Sequence, residues 1–329
     1  MERHDQVPEI AMEWIRDGKE VVLATVIETW GSAPRPVGSQ LVISSEMEIE
    51  GSVSGGCVEG AVVAEAMDSL ADGHCRVLEF GVSDDEAFSV GLACGGTIHV
   101  IVEPVGVGTG PTQETIAEIC AARRKRQAIA LRIDLATWCR RLQAARGDGQ
   151  GDPVFSSGSR IEGSEFVLVH VPPLKLVVVG AVHIAQPLLK IARLAGYSTV
   201  LVDPRDSFAT QSRFPGEIIM TDWPDEALAI LGLDARTAVV TLTHDPKLDD
   251  PAIRSVLDSE AFYLGCLGSR RTHEKRMQRL ADSGVPRALI DERVHAPVGL
   301  DIGAASPAEI AVAIMAEITA SLRNPGHSR

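Results

Sequence analysis

Apolar residues along this chain fall first at helical and then at strand spacing. Val7, Ile10, Ala11, Trp14 and Ile15 recur at intervals of three and four and Gly18 ends the run, which predicts an opening helix over 7–17. Residues 21–28 (VVLATVIE) and 40–44 (QLVIS) are rich in β-branched side chains and read as strands, separated by the glycine- and proline-crowded loop TWGSAPRPVG. A second glycine-rich turn, GSVSGGCVEG at 51–60, runs into AVVAEAMDSLADG, whose alanine content and closing Gly73 predict a helix with Cys57 near its start. RVLEF at 76–80 and TIHVIVE at 97–103 are further strands, with CGG between them and Pro104 as the close.

From 105 to 172 the pattern weakens. GVGTGP is followed by a helix ending in the basic run RRKR at 123–126, read as a solvated face, and then by strands broken by RGDGQGDP; no chemistry is assigned to this stretch. At 174 the pattern sharpens. LKLVVVGAVHIAQPLLKIARLAGYSTVLVDPR reads as a buried strand, a glycine turn, a helix and a second strand ending in an acidic residue, the opening βαβ of a dinucleotide-type fold. Further strands at 218–220, 237–242 and 262–267 alternate with helical segments and predict a mostly parallel sheet, and PAEIAVAIMAEITASL predicts a long last helix with Ser306 as N-cap and Pro307 at its first position. The expected fold class is α/β. It comprises an N-terminal α/β domain at 1–104 bearing the cysteine loops, a linking subdomain at 105–172, and a C-terminal Rossmann-like doubly wound parallel sheet at 173–329.

Composition narrows the function. A chain of 329 residues exceeds what one core organises, in keeping with two domains, and a formal net charge of -14 argues against nucleic acid or anionic membrane as a partner. Six cysteines without a CxxC pair predict reduced thiols. No run approaches the roughly 20 apolar residues of a membrane span, and the N-terminal stretch lacks a signal-peptide core. A cytoplasmic protein is expected.

Three candidate segments lie just past predicted strand ends, where a doubly wound sheet places its ligand crevice: DPR with Asp203 and Arg205, THD with His244 and Asp245, and LGSRR. In the last, Gly268 precedes Ser269, a plausible N-cap, so that Arg270 and Arg271 fall in a first helical turn where the helix dipole disfavours cations; a bound phosphate would offset that conflict. Arginines pairing with the many acidic side chains are the competing reading. The turn from Gly180 to Ala185 contains His183 and carries Val182 where a dinucleotide fingerprint has a second glycine, which counts against a pyrophosphate in the standard pose. Asp203 is placed to meet ribose hydroxyls, and His244 and His295 are candidate proton donors or acceptors, or else structural.

In the N-terminal domain Cys57 follows Gly55 and Gly56 and precedes Glu59, and Cys94 precedes two glycines, so both thiols sit on backbone that can approach a ligand closely. Thiolates suit soft partners such as molybdenum or persulfide sulfur. The alternative for each cysteine is a small buried apolar residue.

Taken in order, GSAPRPVGSQLVI, GSVSGGCVEGAV, CGGTIHVIVEP, GAVHIAQPL, GYSTVLVDPR, RFP, LTHDPKLD, YLGCLGSRRTHEKR and HAPVGLDIGAASPAEIA resemble the xanthine dehydrogenase accessory factors, the XdhC/CoxI family, nearly end to end. The resemblance implies a protein that binds molybdenum cofactor, as molybdopterin or its nucleotide form. Such a protein protects the cofactor while a cysteine desulfurase supplies sulfur to the metal, and hands it to a molybdenum hydroxylase apo-enzyme. Cys57 and Cys94 match the family's cysteine positions and are the candidate molybdenum or sulfur contacts. Binding with little or no turnover is expected, in a homodimer on base rates. The chain lacks the clustered cysteines of iron–sulfur centres and is too short to be the dehydrogenase itself. An NAD(P)-dependent oxidoreductase using Gly180, Asp203 and His244 is the alternative, and a scaffold without a small ligand is a third reading.

Overall fold

A computed structural model describes residues 6–31, 35–81, 96–145 and 153–324. The chain divides into two compact units, Arg3–Pro172 and Pro173–Arg329.

The first unit begins with helix α1 (Val7–Arg16) and strands β1 (Val21–Trp30), β2 (Gln40–Ser44) and β3 (Ile49–Gly51), followed by helix α2 (Glu59–Asp72) and strands β4 (Arg76–Phe80) and β5 (Thr97–Pro104). These strands form one antiparallel sheet in the order β3-β2-β1-β5-β4. Helix α2 covers one face, where Val58, Val62 and Ala66 pack on Val22, Ala24, Leu41 and Val100. The other face shares a core with α1, with α3 (Gln113–Arg124) and with a second antiparallel sheet of β6 (Ile129–Asp134), β7 (Arg140–Ala144), β8 (Arg160–Glu162) and β9 (Glu165–His170); the short helix α4 (Pro153–Ser156) lies between β7 and β8 in sequence. Burial on both faces is why residues 21–27 are apolar except for Thr25, whose hydroxyl accepts from Gln40 Nε2 at 3.1 Å.

The stretch from 105 therefore packs with the sheet before it. Arg140 of β7 donates to the buried Glu103 of β5 at 2.6 and 3.1 Å and to the carbonyls of Thr109 and Trp138. Burial pushes the Glu103 carboxyl up, and Arg140 pulls it back. In the basic run at 123–126, Arg124 and Lys125 are exposed as a solvated face requires, but Arg123 departs from it, being buried and donating to Glu9 of α1 at 2.7 Å. One charge of the run thus ties two helices together.

The second unit contains β10 (Lys175–Val179), α5 (Ala185–Leu194), β11 (Ser198–Val202), β12 (Ile218–Met220), α6 (Pro224–Leu231), β13 (Thr237–Thr241), α7 (Pro246–Leu257), β14 (Tyr263–Cys266), α8 (Arg270–Asp282), α9 (Arg287–Arg293), β15 (Val294–His295) and α10 (Pro307–Arg323). Its six strands are all parallel in the order β12-β11-β10-β13-β14-β15. That is the doubly wound arrangement, with strand order reversing between β10 and β13. Leu188 and Leu189 of α5 and Ile314 and Ile318 of α10 pack on one face, and Ile253 and Val256 of α7 with Met277 and Leu280 of α8 on the other. Helix α10 starts as the sequence predicts, with Ser306 and Glu309 forming a reciprocal capping box and Pro307 at the first position. Among the described residues no helix is long and apolar enough to cross a membrane.

Candidate functional site

In the first unit, strand registers place the Cys57 loop. β1 ends at Trp30 opposite Thr97, the first residue of β5, and β3 ends at Gly51 opposite Leu41 near the start of β2. The ends of β1 and β3 and the starts of β2 and β5 thus share one end of the sheet. Gly55 and Gly56 adopt φ of 78 and 112°, which turns the 52–58 loop tightly around the carboxylate of Glu59. One Glu59 oxygen accepts from Ser52 Oγ at 2.7 Å and from the amides of Val53 and Ser54 at 3.2 and 2.9 Å; the other accepts from the Gly56 amide at 2.9 Å and from Ser54 Oγ. Burial pushes this carboxyl up, but the Ser54, Ser52 and amide hydrogen bonds outweigh it and hold the group at about 2. Glu59 is thus an anion enclosed by its own loop, and it shapes the backbone that carries the thiol.

Cys57 is half-buried and borders the apolar layer under α2. Cys75, Cys120 and Cys266 are buried, the last two with thiols pushed up to about 11 by burial, and Cys139 is exposed away from any glycine turn. Cys94 lies outside the described residues. Among the described residues no cluster of His, Cys, Asp and Glu is arranged to hold a metal ion.

In the second unit the carboxyl ends of β10, β11, β13 and β14 carry the predicted segments. Gly180 has φ 114°, and a Cβ there would lie 2.5 Å from Thr243 Cγ2, so the turns after β10 and β13 touch at the point of reversal. His183 is exposed, and Val182 packs its side chain toward the core. Asp203 is fully buried. Its carboxylate accepts from the Ala181 amide at 2.8 Å and from the Arg205 amide, Nε and Nη2 at 3.0, 2.8 and 2.7 Å. Burial pushes Asp203 up, yet the Arg205 and Ala181 bonds prevail and hold it low. An acceptor expected to meet ribose is therefore already engaged within the fold. Arg205 also lies over the Phe208 ring at 4.1 Å and within the fields of Asp245 and Asp249.

Turning to the other two segments, His244 is exposed with φ 65°, and a Cβ on Gly268 would stand 3.6 Å from its Nδ1. The THD and LGSRR turns are thus neighbours. Asp245 caps α7 through the Lys247 amide, and Ser269 caps α8 through the Thr272 amide at 3.2 Å. Arg270 and Arg271 lie exposed in the first turn of α8, which holds no acidic residue, and neither finds a hydrogen bond or ion pair among the described residues. The competing reading, in which acidic side chains neutralise them, finds no partner. His295 has one: it stacks on Tyr263 at 4.7 Å and lies 3.4 Å from the buried Glu317, inside the sheet and α10 packing.

Sequence reasoning passes over the residues beneath these turns. Asp249 and Arg276 are 1% exposed, and both sit on apolar stripes, Asp249 beside Leu248, Ala252 and Ile253, and Arg276 beside Met277 and Leu280. A charge on the buried face of a helix is the signal that marks them.

One family model, described as the XdhC and CoxI family, matches residues 14–81, and a second, described as the XdhC Rossmann domain, matches residues 176–318. The chain thus carries an XdhC and CoxI family region followed by an XdhC Rossmann domain. The first match includes Cys57 and the second every crevice turn, whereas Cys94 falls in neither. Among curated relatives, the molybdenum cofactor insertion chaperone PaoD of Escherichia coli K12 is 29% identical over 323 residues, covering 97% of this chain and 89% of that protein. A Bacillus subtilis 168 protein described as a probable xanthine dehydrogenase subunit is 27% identical over 319 residues, covering 92% and 94%. A crystal structure described as a xanthine dehydrogenase from Bacillus halodurans superposes with a TM-score of 0.78 at 23% identity, covering 97% of this chain and 96% of that one, which shows a shared fold.

Proposed function

We propose that this protein carries molybdenum cofactor and delivers it to a molybdenum hydroxylase of the xanthine dehydrogenase type. One observation carries the reading: two arginines with no partner among the described residues open α8 at the carboxyl edge of the parallel sheet, in a chain of net charge -14. Cations at a helix N-terminus are unfavourable unless an anion joins them, and free first-turn amides supply directed donors for one. These residues fit a phosphate-bearing cargo. The Arg270 and Arg271 guanidinium groups and amides would hold its phosphate, with His244 and Gly268 forming the adjoining wall. Among the described residues Cys57 is the reachable thiol on a glycine turn and would meet the metal end. The names of PaoD and of the Bacillus subtilis relative support the same cargo and client. On this reading a cysteine desulfurase is a further partner, the working assembly is a homodimer, and the compartment is the cytoplasm.

The nicotinamide alternative is not favoured. Asp203 spends both carboxylate oxygens on Ala181 and Arg205, and Val182 fills the place of the second glycine.

The test is retention of molybdenum by protein purified with cofactor. Arg270→Glu with Arg271→Glu is expected to abolish retention, and Cys57→Ala to reduce it. Full retention by the arginine variant would overturn the phosphate site; full retention by the cysteine variant would remove the thiol from it.

A further inference from the structure

We infer that the buried pair Asp249 and Arg276 is the positioning device of the crevice, fixing the turns after β13 and β14 to one another so that His244 and the Arg270–Arg271 helix start face the same ligand. The inference rests on the crevice reading above and adds residues to which that reading gives no part.

Asp249 stands on α7 and collects the turn after β13: its carboxylate accepts from Thr243 Oγ1 at 2.5 Å and from the His244 amide at 3.1 Å. Arg276 stands on α8 and collects the turn after β14, donating through Nη2 to the Leu267 carbonyl at 3.0 Å and to Asp249 at 3.3 Å. Thr243 in turn abuts Gly180, so the turn after β10 leans on the same assembly. His244 holds a left-handed φ of 65° without being glycine, a conformation that persists only where surrounding bonds impose it. The Asp249 bond to its amide is such a constraint.

The pair is an expensive way to hold two helices together. Arg276 keeps Nε and Nη1 buried without a hydrogen-bond partner among the described residues, and burial pushes the Asp249 carboxyl up against the pull of Thr243 and Arg276. Apolar residues of similar volume commonly serve stability as well as a buried ion pair does. Another pair already links the same helices at the surface, Arg279 to Asp250 at 2.7 and 2.9 Å. What Asp249 and Arg276 do that Arg279 and Asp250 do not is reach the two turns. Groups behind a ligand contact that fix its orientation typically matter by about 10- to 100-fold in affinity.

The experiment compares Thr243→Val, Arg276→Met and, as a control on the same helix pair, Arg279→Met. Pyrophosphate binding is measured by calorimetry, thermal midpoint is followed alongside, and amide hydrogen exchange is read in 243–245 and 267–270 without ligand. Arg276→Met is expected to speed exchange in both segments and to weaken pyrophosphate by about tenfold or more. Thr243→Val should weaken it in the same direction, and Arg279→Met should leave affinity and both segments unchanged whatever its midpoint. Acceleration in only one segment, or an equal effect of Arg279→Met, would overturn the positioning role. If the wild-type chain binds no pyrophosphate while exchange responds as stated, the link stands and the phosphate reading falls.

Discussion

The hydroxyl of Ser54 holds the backbone amide of Cys57 at 2.9 Å. It also accepts the Val58 amide at 2.9 Å and donates its own proton to Glu59, so the thiol hangs on a relay that ends in a carboxylate. Glu59→Gln should loosen this loop, because an amide cannot accept from all five donors and leaves buried N–H or O–H groups unpaired at about 1–3 kcal/mol each. Chemical denaturation will register the loss. Iodoacetamide labelling of Cys57 should quicken in Glu59→Gln and in Ser54→Ala, and an unchanged rate in both would show that the relay does not set the thiol's access. Glu59 is depressed from 4.5 to about 2, so its stabilising contribution is complete above pH 4.5 and disappears as pH falls through about 2. The loop therefore keeps its shape across the neutral range.

Arg270 and Arg271 give a prediction in which stability and binding move oppositely. Exchanging a first-turn cation for a carboxylate turns an unfavourable dipole interaction into a favourable one, worth about 0.3–1 kcal/mol per site. Arg270→Glu with Arg271→Glu should thus raise the midpoint of denaturation of the ligand-free chain while removing phosphate affinity. A fall in midpoint would mean that the arginines support the fold in a way the hydrogen-bond pattern does not contain.

Gly180 cannot be replaced without cost. With φ at 114° and Thr243 Cγ2 at 2.5 Å from any Cβ, Gly180→Ala combines backbone strain with a clash where the turns after two neighbouring parallel strands meet. A loss of about 1–3 kcal/mol is expected from strain alone. Gly56→Ala is the comparison, since φ there is 112° but nothing lies within 4 Å of the added atom, and it should cost less.

His170 sets an acid limb. Burial and the nearby Arg123 charge depress it from 6.5 to about 3, so it is neutral in the folded chain. Above pH 6.5 both states are neutral and stability is flat in this group. Between 6.5 and about 3 the unfolded chain takes up a proton that the folded chain refuses, and stability declines by up to about 1.4 kcal/mol per pH unit. Unfolding by urea at pH 7 and pH 5 should show a smaller difference in His170→Gln than in the parent. An equal difference would place the acid sensitivity elsewhere.

What the sequence makes legible follows from where each signal is written. Strand and helix order in 174–323 is carried by local periodicity and by Ser269, Ser306 and Pro307, each acting within its own first turn, and these are where the reading places them. The roles of Asp203 and Glu59 are different in kind. Their residue types match ligand contacts, but donors from Ala181, Arg205, Ser52 and Gly56 claim them, and only three-dimensional proximity shows who claims a carboxylate. Arg123 fails as a solvated charge for the same reason, since Glu9 lies 114 residues away in sequence. Asp249 and Arg276 are each marked by their place in an apolar stripe, but their pairing is not, because they stand on different helices 27 residues apart.

The ion pair of Arg140 with Glu103 decides where this protein can be cut. A fragment ending at Pro104 would lose the guanidinium that pairs with Glu103, along with the Phe166 and Leu168 that cover the same sheet face, and so would bare Leu23, Val42 and Ile101 to water. An apolar sheet face left without its cover favours association, so such a fragment is expected to aggregate. The shortest N-terminal piece worth expressing runs to Pro172, and dissection of cargo binding should begin with that piece.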